Sequence, residues 1–122
     1  MEYMLLIYWS EADARNRSEA EMGRMHQDYM TFTQDLVRQG KNKGGNGLER
    51  TASASTVQVR DGKTMVTDGP FAETKEQLGG YYVVEAKDRD ETIAQGDEVG
   101  RARESCAAAC RDIHQGWFNL EI

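Results

Sequence analysis

The chain of 122 residues is poor in the residue types that staple, ligate or kink: one proline, two cysteines, two histidines and three phenylalanines. The cysteines, Cys106 and Cys110, are too few for a disulfide framework, and a structural bridge is not expected in a reducing compartment. A zinc site takes four ligands as a rule, and only His26 and His114 stand beside the thiols. A helical Cys106/Cys110/His114 stripe is the most the chain offers, and packing of two small buried-type residues is the expected role of the pair. Long apolar runs are missing too. The longest, Met4 to Trp9, falls far short of the roughly 20 residues that span a bilayer. No basic start leads into an apolar stretch and a small-residue cleavage site, so secretion is not expected and a cytoplasmic location is. Positive charge is scarce: 15 Lys and Arg stand against 21 Asp and Glu, for a net charge of −6. With no basic cluster, nucleic acid and anionic membranes are excluded as partners. One acidic domain over residues 1–122 remains, long enough to bury a core.

Tyr3 to Trp9 (YMLLIYW) reads as a buried central strand. Ser18 with Glu21 three residues on forms a capping box. Met22, Met25, Tyr29, Phe32 and Leu36 then recur at three- and four-residue spacing, the stripe of an amphipathic helix that stops at Gly40. Lys41 to Gly47 (KNKGGNG) reads as a mobile Gly/Asn-rich loop. Ser55 to Arg60, Asp61-Gly62 and Lys63 to Thr67 form a hairpin around a two-residue turn. Pro70 suits the first turn of a short helix and Gly79-Gly80 its end. Tyr81 to Glu85 is another strand. Asp88 and Glu91 cap a helix predicted to run to about Arg111, weakened at Gly96 and Gly100. Trp117 to Ile122 is a last strand.

The order β-α-β-β-(short α)-β-α-β predicts an α+β fold: a ferredoxin-like antiparallel sheet with helices on one face. The other face would carry apolar side chains of the aromatic-rich strands. A second subunit is expected to cover it, giving a homodimer.

The segment Asp68 to Gly80 (DGPFAETKEQLGG), the following Tyr81 and Tyr82, the opening Glu2 to Tyr8 and the hairpin Val59 to Phe71 together resemble the DGPF domain family of the YCII-related superfamily. The resemblance implies a ferredoxin-like chain that pairs into a dimeric α/β-barrel-like assembly. It names no reaction, since DGPF proteins are mostly uncharacterised and some resemble partners of extracytoplasmic-function sigma factors. Better-studied relatives use a His–Asp pair for acid–base chemistry on small acidic, sometimes chlorinated, molecules. Counted back from Gly40, their histidine position is Tyr29 here, and His26 lies one turn earlier. The C-terminal third departs from the family pattern, although Glu121 lies near the family's acidic position.

Six residues are candidates for the site. Asp68 follows a strand where loops gather function, and its carboxylate suits a general base or an orienter of an imidazole. Alternatively it is a cap that accepts backbone N–H groups of the turn Pro70 to Glu73. His26 borders the apolar stripe and has the side chain type that ordinarily titrates near neutrality. Tyr29 can donate a hydrogen bond. Lys75 would bind an anionic group or pair with Glu76 on the surface. Tyr81 and Phe71 would line a pocket, and Tyr81 and Tyr82 must face opposite sides of their strand. No metal or cofactor is expected, since Gly44 to Gly47 lacks the strand and helix that would flank a phosphate-binding loop. Two functions fit: an acid–base lyase or hydrolase acting on a small organic acid or enol, or a non-catalytic ligand-binding or regulatory domain.

Overall fold

A computed structural model describes residues 1–101 and 107–113. The elements follow in the order β1 (Glu2–Trp9), α1 (Glu11–Ala14), α2 (Glu19–Arg38), β2 (Asn42–Gly47), β3 (Ser55–Arg60), β4 (Lys63–Asp68), β5 (Gln77–Glu85), α3 (Arg89–Arg101) and β6 (Ala107–Asp112), with a 3-10 turn at Thr51–Ser53. Four strands form one antiparallel sheet in the order β2-β5-β1-β6, while β3 and β4 pair only with each other. The described residues thus form an α+β arrangement with an antiparallel sheet and three helices.

The apolar opening run becomes the central strand because both its edges are filled, by β5 on one side and β6 on the other. Its residues alternate in burial: Tyr3, Leu5 and Ile7 are buried, Met4 and Leu6 half-buried. This is the period of two that a strand imposes. The buried set meets Phe32 and Leu36 of α2, Val99 of α3 and Val84 of β5 in one core, so both long helices lie on the same face. Burying each large apolar side chain contributes roughly 2 kcal/mol. Phe32 and Tyr82 add an edge-to-face contact, with centroids 5.1 Å apart and ring planes at 78°. Helix α2 starts where its sequence signal lies: Glu21 N donates to Ser18 Oγ and Ser18 N to Glu21 Oε2, both at 3.2 Å. The hairpin turn also matches its sequence, since Asp61 and Gly62 have φ of 50° and 73°, the left-handed pair that a two-residue turn requires.

Four expectations are corrected. The glycine-rich segment after α2 is not a loop; Asn42–Gly47 is an edge strand whose backbone is paired along β5. No helix follows Pro70; the chain runs irregularly until β5, which begins at Gln77 and takes Gly79 and Gly80 into its interior. The helix after Asp88 is described over Arg89–Arg101 and does not extend to Arg111, because the alanine-rich Ala107–Asp112 is a strand. Alanine favours helix, but here pairing with the open edge of β1 overrides local propensity. Cys110 is therefore on a strand, its thiol directed at the Thr92 carbonyl oxygen at 3.7 Å, and not on a helical stripe. Burial pushes that thiol's pKa up. Cys106, His114 and the expected strand Trp117 to Ile122, including Glu121, lie outside the described residues.

At the start of α3, Glu91 N donates to Asp88 Oδ1 at 2.9 Å, while the Glu91 carboxylate turns back to accept from Lys87 N at 2.8 Å. The same carboxylate pairs with the Lys41 ammonium, tying α3 to the chain entering β2. Lys41 first and the Lys87 amide second hold the Glu91 pKa below its usual value. A depressed carboxylate contributes stability above its unfolded pKa and loses it as pH falls through the folded one. Melting temperatures of the wild type should therefore drop on acidification below about pH 4 more steeply than those of Glu91→Gln, which starts lower at neutral pH. Parallel acid titrations of the two proteins would disprove the linkage.

Candidate functional site

Between α2 and the β2–β5 edge of the sheet lies a cleft of about 460 Å³. His26, Tyr29 and Thr33 border it from the helix, at spacings of three and four that set them on one helical face. The sheet supplies its other side. Gly44, Gly45 and Gly47 of β2 and Gly79 and Gly80 of β5 line it, together with Ile7, Asn42 and Tyr82. A Cβ on Gly45 would sit 2.5 Å from the Tyr81 carbonyl oxygen, and one on Gly80 would sit 2.9 Å from that of Asn46. Gly45 and Gly80 must therefore stay bare.

Tyr82 is held by a directional chain. Thr33 Oγ1 donates its single proton to the Tyr29 carbonyl oxygen at 2.8 Å, so at 3.0 Å it accepts from the Tyr82 hydroxyl. Asn42 Oδ1 is buried, and no donor among the described residues reaches it. Asn46 Nδ2 donates to Tyr81 Oη at 2.9 Å. Tyr81 is paired with Leu6 and Tyr82 with Leu5, so the Tyr81 ring belongs to the sheet face away from the helices and its backbone borders the cleft.

The six expected site residues separate into two groups. His26, Tyr29 and Tyr81 meet at the cleft. Asp68, Phe71 and Lys75 do not line it: Asp68 ends β4, and all three are exposed. The Asp68 carboxylate accepts no hydrogen bond among the described residues; instead Gly69 N donates to the Ala54 carbonyl oxygen at 2.7 Å, and Thr56 Oγ1 to that of Gly69 at 2.8 Å. The capping role expected for Asp68 is thus not used, because the helix it would cap is not formed. Thr33, Asn42 and the glycine floor were missed. Thr33 was open to detection, one turn beyond Tyr29 on the same helical face. The glycines were not, once their segment was read as a loop. Nearby, Glu11 is buried, and its carboxylate accepts from Thr51 N and Thr51 Oγ1, both at 2.8 Å, which anchors the 3-10 turn beside the Asp68 segment. Among the described residues no group of three or more His, Cys, Asp and Glu is placed to hold a metal ion, and no helix is long and apolar enough to cross a membrane.

Comparison with known proteins gives a family and a neighbour. An uncharacterised protein of Rhizobium meliloti is 34% identical over 105 residues, covering 86% of this chain and 85% of the relative. Among solved structures, a 5-chloro-2-hydroxyhydroquinone dehydrochlorinase from Burkholderia phenoliruptrix, in complex with 2,5-dihydroxybenzoquinone, aligns over 95% of this chain and 96% of its own with a TM-score of 0.48 and 16% identity. The model of the YCII-related domain matches residues 1–112, and the chain belongs to that family.

Proposed function

We propose that the cleft between α2 and the β2–β5 edge is a small-molecule site, and that the protein acts there as an acid–base lyase or hydrolase on a small organic acid or enol. The observation that carries this reading is the convergence of His26, Tyr29 and Thr33 over the glycines of β2 and β5. The volume, about 460 Å³, is within the range of roughly 300–1,000 Å³ of ligand pockets. In this scheme the His26 imidazole takes the proton from carbon or water, and the Tyr29 hydroxyl supplies one to the developing oxyanion. A side-chain general base of this kind contributes about 10²- to 10⁴-fold.

The homodimer belongs to the same reading. The sheet face away from the helices presents Met4, Leu6, Tyr81 and Val83 in register, and the β3–β4 hairpin exposes Val57, Val59 and Val66 at 59%, 67% and 67%. An isolated two-stranded hairpin is marginal in water, so a second subunit in a ferredoxin-like, barrel-like pairing would stabilise it. Asp68, Phe71 and Lys75 join the chemistry only where such pairing brings one subunit's hairpin to the other's cleft. We further assign the chain to the DGPF subfamily on Asp68 to Gly80, and place it in the cytoplasm without cofactor.

A second reading has its own support. Within one chain Asp68 does not stand with His26 and Tyr29, which favours a ligand-binding domain without catalysis. Nothing in the fold or the relatives points to a sigma-factor partner.

Proton exchange separates the two. Acetoacetate in deuterated buffer, followed by NMR, should lose its C2 protons faster with the protein than without, and His26→Ala should remove at least 99% of the acceleration. Binding without acceleration would leave the non-catalytic domain as the function. Sedimentation at micromolar concentration should give a dimer, and a clean monomer would sink the pairing.

A further inference from the structure

The glycines of the cleft floor are not equivalent. Gly44 and Gly45 hold φ of 142° and 154°, in the region L-residues avoid, and a Cβ at Gly79 or Gly80 would lie 2.6 Å or 2.9 Å from its nearest neighbour. Backbone conformation or a neighbouring carbonyl explains Gly44, Gly45 and Gly80, and the Trp9 indole explains Gly79. Gly47 is different, because its φ lies outside that region and a Cβ built on it meets no atom within 4 Å. Strand interiors disfavour glycine, which adds backbone entropy and no packing. The fold would therefore be better served by almost any other residue at 47.

The register says where that missing side chain would go. Gly47 pairs with Gly80, and Gly80 with Ile7, whose side chain is buried on the helix side of the sheet. Directly paired residues of antiparallel strands project to the same face. A side chain at 47 would accordingly rise from the floor into the cleft.

We propose that Gly47 determines the specificity of the cleft: its bare backbone reserves space for a flat molecule lying along the β2–β5 pair. Flatness follows from a floor of peptide planes. The inference rests on the reading of the cleft as a small-molecule site and adds the residue that limits ligand size. A single methylene in an apolar pocket changes recognition by about 10- to 200-fold, so a side chain here suffices to exclude a ligand that fits above glycine.

The test uses 2-naphthol, a flat uncharged probe, titrated by its own fluorescence and mapped by amide chemical shifts on the full chain. Wild type should bind it with shifts centred on His26, Tyr29 and Thr33. Gly47→Ala and Gly47→Val should melt at or above the wild-type temperature, yet bind 2-naphthol at least about tenfold more weakly, valine worse than alanine. Gly45→Ala, which must clash, should lower the melting temperature. Unchanged affinity in Gly47→Val, with wild-type shifts still on the cleft, would overturn the role of Gly47 and leave the site standing. A lowered melting temperature in Gly47→Ala would also overturn it, since the fold would then require the glycine. If 2-naphthol does not shift the wild-type cleft at all, the site reading fails and this inference fails with it.

Discussion

Strand β1 is the element on which everything else is hung. Its backbone is hydrogen-bonded on both edges, and its inward residues Tyr3, Leu5 and Ile7 are almost wholly buried beneath α2 and α3. Each edge does a different job. Pairing with β5 brings the glycine pair Gly79-Gly80 level with β2, and pairing with β6 closes the sheet on the side of α3. A one-residue slip of β1 would turn Met4 and Leu6 inward and Leu5 out to solvent, so the register is strongly held by the core.

The cleft follows from that arrangement by subtraction. Helix α2 must lie over the sheet to bury Phe32 and Leu36, but beside the core the β2–β5 edge carries glycine. A helix facing bare backbone leaves a gap, and His26, Tyr29 and Thr33 border it. Core and cleft residues interleave along the same helix, Tyr29 and Thr33 standing on either side of Phe32 in sequence. The Thr33 hydroxyl links the two, donating to its own helix and accepting from Tyr82, whose ring packs edge-on against Phe32.

The Asp68 segment occupies a different part of the molecule. It closes a hairpin whose apolar residues find no cover among the described residues, and it is tied back through Gly69 to Ala54 and Thr56. Its uneven composition made it the most conspicuous stretch of the sequence, and that drew Asp68, Phe71 and Lys75 into one expected site with His26 and Tyr29. Proximity in a motif is not proximity in space. A site assembled from both groups needs a second subunit, and a site within one chain must do without the hairpin.

Local chemistry was enough for a good part of this. The Ser18–Glu21 box, the stripe from Met25 to Leu36, the Asp61-Gly62 turn and the apolar β1 run each form through neighbours in sequence, so they were readable from it. His26 and Tyr29 were readable as a pair for the same reason, since helical spacing places them together. What tertiary structure alone decided were the segments whose backbone partners come from far away. Asn42–Gly47 becomes a strand because β5 offers it hydrogen bonds, and Ala107–Asp112 because β1 has an open edge. Glycine has no side chain to favour another state, and alanine's helix preference, under about 1 kcal/mol per residue, is too small to resist such pairing. The sequence by itself thus determined α2, the start of α3, the turn and the central strand, while long-range pairing decided where the sheet ends and, with it, that a cleft exists.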